Sequence, residues 1–323
     1  MMDKEVLLQT NHLHVHFPLK KASLFAKRRY VQAVSDVTLT ICKGETFGLV
    51  GESGCGKSTF ADTTLGFLSP TSGEVLFRGE PLDRRNKAAF RAQRSRMQKI
   101  FQDPASSLNP RFTVQDAVAE PLRIRGGYTK TQQAEKTAEM LRLVGLSAAD
   151  GTRYVTEFSG GQQQRIAIAR ALILKPEYLV CDEPVSALDV SVHAQILNLL
   201  MDLQAQLGGT YLFISHNLAA VRKLCGRLAI LYMGKVVEYG DTQKIFDAPA
   251  HPYTRALIAA VPKMETDAGT ELPVLHGDVA SPVDPPPGCR FAPRCPLAKK
   301  TCAETPCTLR EIEPDHFTAC PYI

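Results

Sequence analysis

Apolar and polar positions alternate loosely over residues 7–17 and 34–41, the period-two pattern of half-buried strands. A short apolar run over 45–50 ends in a Gly-rich turn, and 58–68 then carries helical spacing. Further on, 178–181 and 210–215 are compact apolar runs of the kind that form buried parallel strands. Helical patterns over 162–174 and 192–207 accompany them. This alternation predicts an α/β core with a mainly parallel sheet. Residues 104–157 differ: helical periodicity dominates, and over 131–143 it lines up Ala134, Ala138 and Leu141 on one face. The pattern predicts a helical subdomain, about 104–160, inserted in a domain covering 1–245. From 246 to 323 the texture changes, with Pro249, Pro252, Pro262, Pro273, Pro282 and the run Pro285-Pro286-Pro287 breaking regular structure.

Composition changes this picture little. A chain of 323 residues that is 44% hydrophobic and 22% charged can bury a sizeable core. A net charge of +5 is mild and does not call for nucleic acid. The basic runs at Lys20, Lys21, Lys27, Arg28, Arg29, Arg84 and Arg85 read as solvated loop charge, with attraction to anionic lipid headgroups as the weaker alternative. No stretch approaches the ~18 apolar residues of a membrane span, and the N-terminus lacks a signal-peptide core. The expectation is a cytoplasmic chain.

Three motifs carry chemistry. Gly51-Glu52-Ser53-Gly54-Cys55-Gly56-Lys57-Ser58, followed by Thr59, fits G-x-x-x-x-G-K-S/T between a strand and a helix. Its glycines let successive N–H groups face a phosphate, and the helix adds its positive end. Lys57 is placed for the β- and γ-phosphates and Ser58 for Mg²⁺. Next, the apolar run Tyr178-Leu179-Val180-Cys181 ends in Asp182-Glu183. Alone this would be a solvated strand end; after a phosphate loop, Asp182 suits Mg²⁺ and Glu183 suits a base for the attacking water. Lastly, Phe158-Ser159-Gly160-Gly161-Gln162 precedes a helix and makes a second anion cradle.

That last motif resembles the signature of the ABC (ATP-binding cassette) family. The resemblance implies a P-loop, RecA-like α/β core with an antiparallel β subdomain, and binding and hydrolysis of ATP with Mg²⁺. It also implies pairing of two cassettes, each P-loop meeting the other's signature. On the same basis Gln102 is similar to the Q-loop glutamine, which touches Mg²⁺ or the attacking water. Asp189 in Ser186-Ala187-Leu188-Asp189 resembles the D-loop, and His216 the switch histidine. Phe17 is the candidate to stack on adenine, with Tyr30 as runner-up. The motifs Glu183-Pro184-Val185-Ser186-Ala187-Leu188-Asp189-Val190-Ser191-Val192, His251-Pro252-Tyr253-Thr254 and Pro285-Pro286-Pro287-Gly288-Cys289-Arg290-Phe291-Ala292-Pro293-Arg294-Cys295 narrow the resemblance to the peptide and nickel importers. The insert over 20–30 looks like the second of their two paired ATPases. Implied partners are a second ATPase subunit, two membrane permeases and, indirectly, an extracytoplasmic binding protein. The implied place is the cytoplasmic face of the membrane. Peptide import is the leading reading, nickel or metal-chelate import the alternative. A non-transport ABC ATPase would call for two cassettes or a long coiled-coil insertion, and neither is in the sequence. There are two departures from the family: Val155-Thr156 where Pro and His are usual, and Asn217 where Asp is commoner.

Five of the nine cysteines, Cys289, Cys295, Cys302, Cys307 and Cys320, fall in the last 35 residues. Close-set zinc spacing is absent from Cys289, Cys295, Cys302 and Cys320, although Cys302 and Cys307 could form a zinc pair. Disulfides are disfavoured in a reducing compartment. The resemblance implies a 4Fe–4S cluster on Cys289, Cys295, Cys302 and Cys320, with zinc or free thiols as the alternatives. Since this segment is Pro-rich, a metal clip would account for its order.

Overall fold

The computed structural model describes residues 5–21, 23, 25, 27–261, 281–285 and 287–323. Pro262, Pro273 and Pro286 lie outside the described residues, as do Ala22, Leu24 and Ala26 of the 20–30 insert. The strands are β1 (Val6–Pro18), β2 (Tyr30–Cys42), β3 (Thr46–Val50), β4 (Ser72–Phe77), β5 (Glu80–Pro81), β6 (Met97–Ile100), β7 (Tyr178–Asp182), β8 (Thr210–Ile214), β9 (Arg227–Tyr232), β10 (Lys235–Asp241), β11 (Arg310–Glu313) and β12 (His316–Thr318). The helices are α1 (Lys57–Thr64), α2 (Lys87–Arg94), α3 (Pro104–Ser107), α4 (Val114–Arg125), α5 (Lys130–Leu143), α6 (Gly160–Leu172), α7 (Val190–Leu207), α8 (Leu218–Leu224), α9 (Thr242–Asp247) and α10 (Pro252–Ala259). Two compact units result. One is mainly Leu82–Ile214; the other gathers Leu8–Thr40, Phe47–Pro81 and Ser215–Ile323.

In the first unit β6, β7 and β8 run parallel with β7 in the middle. Every residue of β7 and β8 is buried, which explains their unbroken apolar character. The helices α4, α5 and α6 pack on one another. Thr113 caps α4 by accepting the Asp116 N–H at 3.2 Å, and Thr129 with Gln132 forms a capping box on α5. On α5 the buried residues are Thr137, Met140 and Leu141. Of the expected face, Leu141 is buried, whereas Ala134 and Ala138 are half-buried.

The second unit holds an antiparallel sheet in the order β2-β1-β4-β5, with Leu8 opposite Phe77. It also holds β11-β12-β10-β9-β3, where only β3 and β9 are parallel. Strand β12 returns from the C-terminal segment to pair with β10, Glu238 facing Thr318. The buried Glu238 carboxylate accepts the N–H groups of Ala250 and His251, each at 2.8 Å, and lies 2.7 Å from His316 Nε2. Helix α1 stops at Thr64, four residues short of the sequence expectation. There the Gly66 N–H bonds back to Thr63 O and Gly66 takes φ +70°.

Candidate functional site: a phosphate loop, a two-acid strand end and a cysteine-lined cavity

In the second unit β3 feeds the loop Gly51–Gly56 directly into α1. Two glycines are dictated by space. A Cβ on Gly51 would sit 2.2 Å from Leu231 O, and one on Gly56, at φ +108°, 2.1 Å from Ala33 O. Gly56, at the N-cap of α1, has no side chain to cap it, and the helix presents its positive end to the loop. The buried Lys57 folds back over the loop, donating to Gly51 O at 2.8 Å and Glu52 O at 2.9 Å. Ser58 is exposed and Thr59 half-buried in the first turn. Ser53 and Gly54 are exposed at the loop tip, while burial pushes the Cys55 thiol up.

In the first unit Asp182 ends β7, buried, with Lys99 Nζ of β6 at 2.9 Å from its carboxylate. Glu183 follows at φ +47°, a conformation costly for a glutamate. It is held by its own N–H to Ile214 O at 3.0 Å, and its carbonyl accepts Ser186 Oγ at 3.0 Å. Gln102 Nε2 donates to Glu183 Oε2 at 3.2 Å, so the structure brings Gln102, Asp182 and Glu183 together. Sequence reasoning missed both Lys99 and the strained backbone of Glu183.

Ser159, Gly160 and Gly161 open α6. Ser159 Oγ accepts the Gln162 N–H at 3.4 Å, and Gln162 Oε1 accepts the Ser159 N–H at 3.1 Å. A Cβ on Gly161 would come within 2.8 Å of Val192 Cγ1, so a larger residue there would push Val192 aside. Asp189, exposed, stands at the N-terminus of α7. His216 is exposed two residues beyond β8 in the second unit. Asn217 after it caps α8 by accepting the Ala220 N–H at 3.1 Å, work that an Asp would also do. Phe17 and Tyr30 are each 39% exposed, so exposure does not separate the two adenine candidates.

Cys289, Cys295, Cys302 and Cys320 all line one small cavity, with His251, Phe291 and Leu297. Among the described residues no three His, Cys, Asp or Glu side chains converge as ligands of one metal ion would. Cys307, which is not among the four cysteines of the expected cluster, lines a second small cavity with Cys289. Its hydrogen bond, with one from His251, holds the Cys289 thiol far below the usual thiol range. The tail is also ordered by more than thiols. Arg290 donates to Met233 O, to Gln32 Oε1 and, at 3.0 Å, to Ser35 Oγ. Burial pushes that guanidinium down to about 10. Phe291 packs edge-on against Tyr232, centroids 5.2 Å apart. Arg294 pairs with Glu52 of the phosphate loop.

Comparison with known proteins matches this architecture. Residues 34–186 fit the ABC transporter family and residues 237–302 the oligopeptide/dipeptide transporter C-terminal region. A solved relative of the fold is the ATP-binding cassette MJ0796, captured as a dimer in a post-hydrolysis state with ADP and Pi. It is 26% identical with a TM-score of 0.64, covering 73% of this chain and 99% of that one. The fold and the loop define an ATP-binding cassette ATPase. Over almost its whole length the chain is also similar to two transport subunits. The oligopeptide transport ATP-binding protein AppF of Bacillus subtilis is 43% identical over 98% of both chains. OppF of Haemophilus influenzae is 44% identical over 98% of this chain and 97% of its own. The chain belongs to this family of oligopeptide transport ATP-binding proteins. Among the described residues no helix is long and apolar enough to cross a membrane.

Proposed function

We propose that this chain hydrolyses ATP to power peptide import, as one ATPase subunit of a transporter whose membrane pathway is built by other chains. The observation that carries the catalytic reading is Glu183. A glutamate is forced into a left-handed backbone at the end of a buried strand, beside Asp182 and within hydrogen-bond reach of Gln102. Such strain persists where the surroundings over-determine it, which is typical of a reacting site. In this reading Gly51–Thr59 cradle the phosphates and Lys57 draws the β- and γ-oxygens. Glu183 takes the proton of the attacking water, while His216 and Gln102 orient the γ-phosphate and that water. Mg²⁺ would be held by Ser58, Asp182 and Gln102, and supplies neutralisation of the phosphate charge. Ser159–Gln162 and Asp189 serve the nucleotide of a partner cassette, and Phe17 stacks on adenine. We read 1–245 as the ATPase domain and 246–323 as the extension. Assembly with a second cassette and two permeases places the chain at the cytoplasmic face of the membrane.

A 4Fe–4S cluster is our reading of the tail. Four thiols around one cavity, with no acidic side chain among the described residues that line it, suit a cluster's donor set, and a cluster spans more than the single point that one ion occupies. When bound it would clip Cys289, Cys295, Cys302 and Cys320 together.

The test of catalysis is Glu183→Gln. The amide keeps the side chain's shape but not its basicity, so ATP binding should persist while turnover falls about 10²–10⁴-fold. Wild-type turnover by the reconstituted transporter carrying this change would refute the assignment.

A further inference from the structure

The phosphate loop is gripped from a distance of 242 residues in sequence. Arg294 donates to both carboxylate oxygens of Glu52, Nη1 to Oε2 at 2.8 Å and Nη2 to Oε1 at 3.1 Å. The pair is sheltered: the Arg294 side chain is 7% exposed and that of Glu52 is 25%. Bidentate, partly desolvated pairs of this kind are strong and little screened by salt. The rest of Glu52 is committed as well. Its N–H donates to the buried Tyr253 hydroxyl at 3.0 Å, and its carbonyl accepts from Lys57 Nζ at 2.9 Å. Arg294 is itself held rigidly. It closes a short 3-10 turn, Ala292–Arg294, and its guanidinium lies 6.0 Å from the Tyr232 ring centroid. Tyr232 and Tyr253 pack together with centroids 4.7 Å apart, and Phe291 sits 5.4 Å from Tyr253.

The charge at Glu52 poses a problem for a loop that binds phosphates. A carboxylate on the second residue of an anion cradle repels its ligand. We infer that Arg294 is a positioning residue for nucleotide binding: through Glu52 it cancels that charge, turns the carboxylate into the tail and fixes the loop's path. Tyr253 assists by holding the Glu52 N–H. The C-terminal segment thereby becomes part of the apparatus that shapes the phosphate loop. This inference rests on the loop being the ATP site.

The experiment measures ATP and ADP dissociation constants of the full chain by titration, alongside its thermal melt. Arg294→Gln leaves Glu52 as an uncompensated anion and should weaken ATP binding about tenfold or more, ATP more than ADP because it carries the extra phosphate charge. Arg294→Lys, which keeps the charge but not the fork, should fall between. Adding Glu52→Gln to Arg294→Gln removes the exposed anion and should restore affinity to within about threefold of wild type, the non-additivity expected of coupled residues. Loss of tail structure alone would lower the melt without such a rescue. Arg294→Gln binding ATP as tightly as wild type, or a loss that Glu52→Gln does not relieve, would overturn the inference. Should Arg294→Gln fail to fold, Arg294→Lys with wild-type affinity would overturn it equally. A wild-type chain that binds no ATP would instead remove the reading of the loop itself.

Discussion

Replacing Lys99 by Met tests the two-acid strand end most directly. Lys99 Nζ stands 2.9 Å from Asp182 Oδ2, with the two side chains only 7% and 9% exposed. An exposed pair would contribute about 0–1 kcal/mol. Removing one partner of a buried pair costs about 3–5 kcal/mol, because the remaining charge stays desolvated without its counter-charge. Met fills the space of the lysine stem, so the cost is electrostatic rather than a cavity. The ammonium also lies 5.3 Å from the Phe101 ring centroid, and losing that contact adds about 0.5–1 kcal/mol. At about 2–4 °C per kcal/mol, the melting temperature should fall by roughly 7–24 °C in nucleotide-free protein. If Asp182 also serves Mg²⁺, the ion supplies the missing positive charge. Mg²⁺ with ATP should therefore recover more of the melt in Lys99→Met than it adds to wild type, and ATP with EDTA should not. Scanning calorimetry under the three conditions reads both effects. An unchanged melt would refute the buried pair, and equal Mg²⁺-dependent gains in the two proteins would refute the role of Asp182.

Other outcomes are expected from the same structure. Asn217→Ala removes the cap of α8 and should cost about 0.5–2 kcal/mol in urea unfolding, whereas Asn217→Asp should retain wild-type stability; equal stability of all three would show that the cap carries no weight. Anaerobically purified chain should be brown and contain about four irons, and Ser at Cys289, Cys295, Cys302 or Cys320 should bleach it while Cys307→Ser keeps the colour. Zinc in place of iron would end the cluster reading, and loss of colour in Cys307→Ser would move Cys307 into the ligand set.

The legible parts of this protein are those where chemistry is local in sequence. The phosphate loop and the Ser159–Gln162 turn need particular residues at consecutive positions, so their spacing announces them. Strands β7 and β8 were visible because every residue in them is buried and apolar runs result. Strand β6 was not, since Met97-Gln98-Lys99-Ile100 mixes two polar residues into four and shows no period. Strands β4, β9, β10 and β12 also went unread, although each has a hairpin partner next to it in sequence, Lys235 of β10 lying opposite Tyr232 of β9. The left-handed Glu183 is invisible to propensity, which argues against such a conformation for glutamate. Arg294 and Tyr253 stood inside motifs that marked a family but suggested no role. Only the fold carries them to Glu52.

The pairing of Glu52 with Arg294 also has a consequence for how the chain is made. The first unit is largely a continuous stretch, Leu82–Ile214, whereas the second is assembled from three separated pieces. During synthesis from the N-terminus, the first unit can collapse as soon as it emerges. The phosphate loop, translated earlier, must wait for β9, Tyr253 and Arg294 before its neighbours exist. Contacts closed over such separations form late and slowly. Full nucleotide affinity is therefore among the last properties this polypeptide acquires, and a chain released before Arg294 would be compact in its middle yet hold ATP less tightly.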